Sequence, residues 1–316
     1  MSAEGGTKAI VAALSANLGI GATKFAAWAL TGSSSMLAEA IHSVADSGNQ
    51  VLLLVGGRQA RKEATPEHPF GYARNRYYYA FLVAVVLFLL GGVFALWEAW
   101  HKFQHPEPIE SWKWVPVVVL VVAIGLESLS LRTAVIESNK VRGTLGWARF
   151  IRRSRSPELP VILLEDLGAL VGLVFALFGV SMTLITDDGV WDALGTAMIG
   201  LLLLVISIIL ARETKSMLLG ESATPEDIAA IRAAFDASHL GDIIHLRTMH
   251  LGPDDVMIAA KVGLAAGATI EQIAEHVDDA ERRVRDAVPA ARLIFIEPDL
   301  RHAVAAAHDT PKENHE

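Results

Sequence analysis

The sequence contains no cysteine. This absence excludes disulfide bonds, thiolate metal ligands and cysteine nucleophiles, whatever the fold. Any transition-metal site in the chain must therefore use His, Asp or Glu side chains or backbone groups as ligands.

Positive charge is also scarce, with 27 Lys and Arg against 35 Asp and Glu and a formal net charge of -8. The excess of acidic residues lies C-terminal to the apolar part of the chain, because residues 221–316 hold 9 Lys and Arg against 18 Asp and Glu. An acidic region repels a phosphate backbone and tolerates cations, so we expect no nucleic-acid partner.

Charges of either sign are few in six long apolar stretches. Hydrophobic residues make up 52% of the chain and the mean hydropathy is +0.39, which exceeds what one soluble core needs. A helix needs about 20 apolar residues to cross a bilayer core. The sequence therefore predicts a six-helix transmembrane domain over residues 1–220, with spans at 7–30, 35–57, 76–100, 112–137, 158–185 and 190–211.

The distribution of Lys and Arg predicts the orientation of these spans. The linkers 58–76 and 140–155 are basic, whereas the alternating linkers carry little positive charge. Basic linkers stay on the cytoplasmic side, and an even number of spans returns the chain to that side. We expect a multi-pass integral protein surrounded by membrane lipids, with both termini cytosolic, in the plasma membrane of a bacterium, and no secretory signal before the first span.

Residues 221–300 predict a small cytosolic α+β domain. Thr224 and Pro225 are typical of a helix start, and residues 243–251 and 256–264 alternate like two strands joined by a Gly-Pro-Asp-Asp turn. A helix over 269–288 and a strand over 292–297 complete an αββαβ order, which favours a ferredoxin-like sheet with helices on one face. Residues 301–316 are Ala, His and charge, which predicts a disordered tail.

His42 and Asp46 are the most informative residues of the second span. Positions i and i+4 share one face of a helix, so the imidazole and the carboxylate can converge on one ion. Ionisable groups at membrane depth are costly and by default indicate an ion or proton pathway. A purely structural pair, bonded to each other and to neighbouring hydroxyl groups, is the alternative.

Three segments carry a resemblance to a known family. They read Ala-Glu-Ala-Ile-His-Ser-Val-Ala-Asp at 38–46, His-Pro-Phe-Gly-Tyr-Ala-Arg at 68–74, and Leu-Arg-Thr at 246–248 followed by Gly-Pro at 252–253. Together with the order of elements, they resemble the cation diffusion facilitator family of divalent metal transporters over nearly the whole chain. The resemblance implies a homodimer, not an enzyme, that exports a divalent ion from the cytosol in exchange for protons by alternating access.

The resemblance also implies the ligand set. In such transporters the ion lies between the second and fifth spans, which here offer His42 and Asp46 on one side and Asp166 on the other. Ile162 occupies the position of the usual fourth ligand, and Glu165 is the obvious substitute. Glu165 lies about 100° around the helix from Asp166, so it reaches the site only if the helix is rotated or locally distorted.

The transported ion is expected to be Zn²⁺, which accepts three or four nitrogen and oxygen ligands. An oxygen-rich ligand set leaves Mn²⁺ or Fe²⁺ as alternatives. Metal binds only deprotonated imidazole and carboxylate, so protons and metal displace one another, and His42 is the natural switch.

Several other polar residues of the predicted spans have two alternative interpretations. Glu127 in the fourth span is either a proton carrier or supporting residue, or a packed interior carboxyl group. Asn17 and Asn49 either hold helices together or support the ion site. Lys24 is expected to extend to the outer membrane interface.

Two further places in the sequence could bind metal in relatives of this family. In the loop before the third span only His68 remains of the expected ligands, because Tyr72 replaces a histidine, so we expect a structural role there. In the cytosolic domain His245, Glu297 and Asp299 could form a partial metal site, with solvated surface as the leading alternative.

Two other classes of protein would require different features of the sequence. An intramembrane metallohydrolase would need a general base beside its metal, such as a His-Glu-x-x-His motif, and the sequence has none. A membrane scaffold that binds partners through its cytosolic domain would not require His42 or Asp46.

Overall fold

The computed structural model describes residues 3–300 except 107, 108, 110, 111, 155, 239, 265 and 266, and only the backbone of 3–16, 153 and 300. The chain divides after Leu219 into two compact units. The predicted disordered tail at 301–316 lies outside the described residues.

Helices occupy every window that was predicted to span the membrane. They are α1 (Ala3–Thr31), α2 (Ser34–Gln59), α3 (Asn75–Val86) continued by a π-helical segment (Leu87–Val93) and α4 (Phe94–Gln104), α5 (Val115–Arg142), α7 (Glu158–Thr186) and α8 (Val190–Leu219). The short helix α6 (Trp147–Arg153) lies in the basic linker.

Four of these helical stretches are long and apolar enough to cross a membrane, within the part of the chain that the structure describes. They are Asn75–Gln104, α5, α7 and α8. Helix α2 is 26 residues long, but it carries Glu39, His42 and Asp46, which lower its hydropathy. The structure thus shows a helical membrane-type protein with four apolar helices, and spans at α1 and α2 remain a prediction.

The third helical stretch contains a π-helical segment that the sequence did not predict. Gly91 and Gly92 lie in this segment and bring it against α8, since an added Cβ would come 2.9 Å from Leu203 Cδ1 and 2.5 Å from Leu204 Cδ2, respectively. A π segment inserts an extra residue into the helical turn, so the two halves of this stretch present different faces to α8 than one regular helix would.

Helix α2 begins on a buried carboxylate that another helix supplies. Asp192, in the first turn of α8 and 1% exposed, accepts hydrogen bonds from Ser33 Oγ at 2.8 Å, from Ser34 N at 2.6 Å and from Ser35 N at 3.3 Å. The first amides of a helix have no partner within it, and the helix dipole is positive there. Asp192 therefore holds the start of α2 at one height along α8.

Helix α7 packs on the same helix α8 through glycine. An added Cβ on Gly179 would lie 2.8 Å from Trp191 O, and one on Gly195 would lie 2.9 Å from Phe175 O. Small residues at such contacts let two backbones approach closely. Helices α2 and α7 are thus both positioned against α8.

The second unit has the predicted αββαβ order. Its elements are α9 (Pro225–Asp236), β1 (Asp242–Gly252), β2 (Asp255–Leu264), α10 (Ile270–Ala287) and β3 (Ala291–Leu300). Strand β2 is central and pairs antiparallel with β1 and parallel with β3. Thr224 Oγ1 accepts from Asp227 N at 3.1 Å and so caps α9 as predicted.

The core of this unit lies on one face of the sheet. Alternate residues of β2, such as Val256, Ile258 and Val262, are buried in one cluster with Phe235 of α9 and Val284 of α10. Side chains alternate between the faces of a strand, so the intervening β2 residues lie on the other face, away from both helices.

Replacing Asp192 by Asn should destabilise the membrane unit, because the amide nitrogen that replaces one carboxylate oxygen cannot accept a hydrogen bond. With the nitrogen in place of Oδ2, the donor that loses its acceptor is Ser34 N. Hydrogen bonds to charged groups contribute about 1.5–3 kcal/mol each when one partner is removed, so we expect a loss of about 2 kcal/mol of unfolding free energy. The measurement is the thermal unfolding midpoint of the purified protein in detergent.

Asp187→Asn is the matched control, because Asp187 forms an exposed ion pair with Lys113 Nζ at 2.9 Å. Exposed pairs contribute about 0–1 kcal/mol. Equal shifts of the unfolding midpoint for Asp192→Asn and Asp187→Asn would contradict the proposed role of the buried cap.

Candidate functional site

A stripe of buried polar side chains runs along α2. Its members are Ser35, Glu39, His42, Asp46 and Asn49, and all five are buried. Their spacing alternates between four and three residues, which keeps them on one face of a 3.6-residue helix. This polar stripe extends through the interior of the helical bundle.

His42 and Asp46 lie at the centre of the polar stripe. His42 is 1% exposed, and its Nδ1 lies 3.5 Å from Asp46 Oδ1. Neither ring nitrogen of His42 nor Asp46 Oδ1 has a hydrogen-bond partner among the described residues. Each buried polar group left unsatisfied costs about 1–3 kcal/mol. A purely structural pair would be expected to satisfy these atoms, so the geometry favours atoms held ready for a ligand.

Glu165 is the residue of α7 that meets this pair. It is buried, its Oε1 accepts from Asn49 Nδ2 at 2.6 Å, and its carboxyl group is a hydrogen-bonding neighbour of the Asp46 carboxyl group. Helix α7 is therefore rotated so that Glu165 lies against the polar stripe. This is the rotation that Glu165 was predicted to need in order to reach the site.

Asp166 lies on a different side of α7. It is half-buried, and its Oδ2 accepts from Ser130 Oγ of α5 at 2.9 Å. Ile162, one turn earlier, is 37% exposed. Gly172 gives an independent indication of the rotation, because it lies seven residues beyond Glu165 and an added Cβ there would come 2.8 Å from Glu39 Oε1 of α2.

Two of the other predicted residues lie near this centre. Glu127 of α5 is half-buried and within electrostatic range of Asp46, Glu165 and Asp166. Asn49 supports the site through Glu165. Acidic groups from α2, α5 and α7 therefore face a common interior region.

Asn17 is half-buried on α1. The hydrogen bonds of the described residues do not connect its side chain to the polar stripe.

The acidic groups are not gathered into a complete coordination sphere. Within the described ranges, no three His, Asp or Glu side chains lie close enough together to hold one metal ion. A tetrahedral site requires ligand atoms within about 2.0–2.2 Å of the ion, so ion binding requires the α2 pair and the α7 carboxylates to move closer.

Lys24 does not extend to the membrane interface as the sequence suggested. It is 1% exposed, and its Nζ lies 3.0 Å from Glu39 Oε2 and 2.9 Å from Ser43 Oγ. The prediction was wrong because two partners on α2 compensate the buried ammonium, which then needs no water. Sequence reasoning gave no role to Glu39, although its spacing of three residues from His42 places it on the same face.

The loop before α3 is held together by hydrogen bonds. Tyr72 Oη lies 3.1 Å from His68 Nδ1 and 3.2 Å from Thr65 Oγ1, and the His68 and Tyr72 rings have centroids 4.6 Å apart. These contacts fit the structural role expected for this loop.

In the second unit an ammonium group binds the two carboxylates that the sequence suggested as metal ligands. Lys261 Nζ lies 3.0 Å from Glu297 Oε1 and 2.9 Å from Asp299 Oδ2. His245 is exposed and pairs with Lys261 across β1 and β2. Hydrogen bonds that the Lys261 ammonium donates to Asp299 and Glu297 raise the pKa of Lys261 above its ordinary value. The group therefore stays cationic at neutral pH, where a metal ion would have to displace it.

Most of the membrane unit matches a known family. Residues 10–219 match the family model described as the cation efflux transmembrane domain. This range includes α2, α5 and α7, and therefore every residue of the polar stripe and its neighbours.

Several relatives are similar to this chain. The "Proton-coupled zinc antiporter SLC30A9, mitochondrial" of Mus musculus is 33% identical over 243 residues, covering 76% of this chain and 42% of the relative. "Metal tolerance protein C4" of Arabidopsis thaliana is 28% identical over 71% of this chain and 49% of the relative. "Zinc transporter ZitB" of Pectobacterium atrosepticum is 34% identical over 94 residues, 30% of this chain and 28% of the relative. The chain spans less than half the length of these relatives.

Removing the charge of Lys261 should create a zinc site at Glu297 and Asp299. The experiment uses an Asp46→Asn background, so that Zn²⁺ binding at His42 and Asp46 does not contribute. In this background Lys261→Gln should raise the Zn²⁺ affinity of the full chain by at least about tenfold, because the metal no longer competes with the ammonium group. The measurement is calorimetric titration of the purified protein with Zn²⁺.

Lys261→Arg is the control for this experiment, because it keeps a cation at the two carboxylates. We expect no gain in affinity for it. If Gln and Arg at position 261 give the same affinity as lysine, the lysine is not what keeps Zn²⁺ from these carboxylates.

Proposed function

The chain belongs to the cation efflux, or cation diffusion facilitator, family, and on that premise we propose that it carries Zn²⁺ out of the cytosol in exchange for protons. The names of the mouse, frog and human relatives, proton-coupled zinc antiporters, support both the ion and the counter-ion. The observation that carries the proposal is the contact of Glu165 with Asp46 and Asn49 beside the His42 ring, whose nitrogens accept or donate no hydrogen bond among the described residues.

We propose His42, Asp46 and Glu165 as the ion ligands, with Asp166 as a fourth ligand that joins after a small rotation of α7. One imidazole and three carboxylates satisfy the ligand number and atom types that Zn²⁺ accepts. Glu127, which is within electrostatic range of Asp166, is proposed as a proton acceptor or a supporting carboxylate for this group.

Proton exchange follows from the contact between Asp46 and Glu165. Two carboxyl groups that share a hydrogen bond hold one proton between them, because two adjacent carboxylates would repel each other. Zn²⁺ can bind both groups only after that proton has left, and the return of a proton weakens the binding of the ion. His42 must likewise be neutral to bind, so arrival of Zn²⁺ and loss of protons are one event.

We further propose that α1 and α2 span the membrane with the four apolar helices and that both termini are cytosolic. Two copies form a homodimer in this proposal, and lipid surrounds the apolar helices. The host membrane must carry a proton gradient, as the bacterial plasma membrane expected from the sequence does. The mitochondrial location printed for SLC30A9 relatives is an alternative of the same kind.

Zinc is preferred over manganese and iron as the transported ion. The names of the relatives mention zinc, and the Mn²⁺ and Fe²⁺ alternatives rest only on the number of oxygen ligands. Membership of a transporter family also favours a transport function over a hydrolase or a scaffold function.

Transport should depend on Asp46. Zn²⁺ uptake into proteoliposomes that contain the purified protein should be driven by an imposed pH gradient. Protons should leave the vesicle lumen as Zn²⁺ enters it. Asp46→Asn should reduce the initial rate at least about a hundredfold, because it removes a ligand and a proton site together.

Glu63→Gln is the control for Asp46→Asn, because Glu63 is an exposed carboxylate in the loop after α2. Zn²⁺ uptake that ignores the pH gradient would refute the exchange. Uptake that survives Asp46→Asn would refute the site.

The rotation of α7 predicts the order of importance of its two adjacent acids. Glu165→Gln should lower the Zn²⁺ affinity of the purified protein by at least about tenfold, and Asp166→Asn should lower it less, because only Glu165 faces Asp46 here. Calorimetric titration with Zn²⁺ measures both. A larger loss for Asp166→Asn would show that Asp166 is the primary ligand of α7.

A further inference from the structure

A second charged pair lies on the polar stripe beside the proposed ion ligands. Lys24 of α1 and Glu39 of α2 are 1% and 0% exposed, and their Nζ and Oε2 atoms lie 3.0 Å apart. Burying two charges costs several kcal/mol per ion, and apolar residues of similar size often stabilise a fold equally well or better. Stability alone therefore gives little reason for this pair.

Only one oxygen of the Glu39 carboxylate is used by the lysine. Oε1 is buried and has no hydrogen-bond partner among the described residues. It lies next to Gly172 of α7, where an added Cβ would come within 2.8 Å. The absence of a side chain at Gly172 thus leaves this oxygen open toward the contact between α2 and α7.

Glu39 is one helical turn from the proposed ligands. It precedes His42 by three residues, about 4.5 Å along the helix axis, on the side of α2 where the helix begins. Lys24 is within electrostatic range of His42 and Asp46, and Glu127 is within range of both Lys24 and Glu39. The charged groups form one connected set.

We propose that Glu39 is a second binding station for the transported divalent ion, on the outward side of the His42–Asp46 pair, and that Lys24 is a built-in cation that occupies it between transport events. This inference rests on the proposed function. A divalent ion that leaves His42 meets Glu39 Oε1, and the ammonium of Lys24 gives up Oε2.

Ser43 allows the lysine to yield without losing every partner. Its Oγ accepts from Lys24 Nζ at 2.9 Å and donates to Glu39 O at 3.1 Å. The ammonium therefore keeps one hydrogen bond while the divalent ion uses the carboxylate. Repulsion between the two cations then favours onward release of the ion.

The test compares Lys24→Met, Glu39→Gln and the double variant Lys24→Met/Glu39→Gln. Either single change breaks a buried pair and is expected to destabilise the protein. The double variant removes both charges, so its thermal unfolding midpoint in detergent should return toward that of the wild type. Its calorimetric Zn²⁺ affinity should stay within about twofold of wild type, because His42, Asp46 and Glu165 are untouched.

The decisive measurement is Zn²⁺ uptake by the double variant in proteoliposomes. The proposal expects uptake to remain at least about tenfold slower than wild type although folding and binding have recovered. A merely structural pair predicts that uptake recovers together with stability, and that result would overturn the proposal. Failure of the proposed function would look different, because wild-type uptake would then be absent or unaffected by Asp46→Asn.

Gly172→Ala decides the question if the double variant does not fold. It places a methyl group against Glu39 Oε1 and leaves the lysine pair intact. Gly125→Ala is the control, because an added Cβ there meets nothing within 4 Å. Slower uptake with Gly172→Ala alone supports the station at Glu39, and equal uptake in both variants overturns it.

Discussion

The arrangement of the candidate site depends on the buried carboxylate of Asp192. By accepting from three groups at the start of α2, it fixes that helix at one height along α8. Close packing at Gly179 and Gly195 fixes α7 on the same helix. Asp46 and Glu165 meet because both of their helices are positioned against α8. A buried helix end without capping partners would cost too much free energy to allow another alignment.

The polar stripe of α2 is satisfied unevenly along its length. Its ends are bound by other helices, Ser35 near Asp192 and Asn49 at Glu165, whereas the His42 ring nitrogens at the centre have no partner among the described residues. Fully paired polar groups stiffen an interior, and unpaired ones carry a large cost. The transport proposed above would use both, since a rigid frame would hold ligand atoms that exchange their partners quickly.

Local rules explain what the sequence predicted well. Apolar runs set the helix positions, and Thr224 and the Gly252 turn set the αββαβ order, because these signals act within a few residues. The rotation that puts Glu165 and not Asp166 against α2 depends on packing between distant segments, and so does the burial of Lys24. The π-helical segment at Gly91 likewise reflects the surface of α8, which no local pattern encodes.

The lysine between Glu297 and Asp299 has a consequence for the second unit. A cation that is part of the polypeptide has an effective concentration fixed by its tether, so it cannot be diluted, chelated or lost when the cell is starved of metal. Lys261 therefore compensates negative charge on this face of the sheet whenever the chain is folded. This compensation forms when the chain folds and uses only groups of the polypeptide.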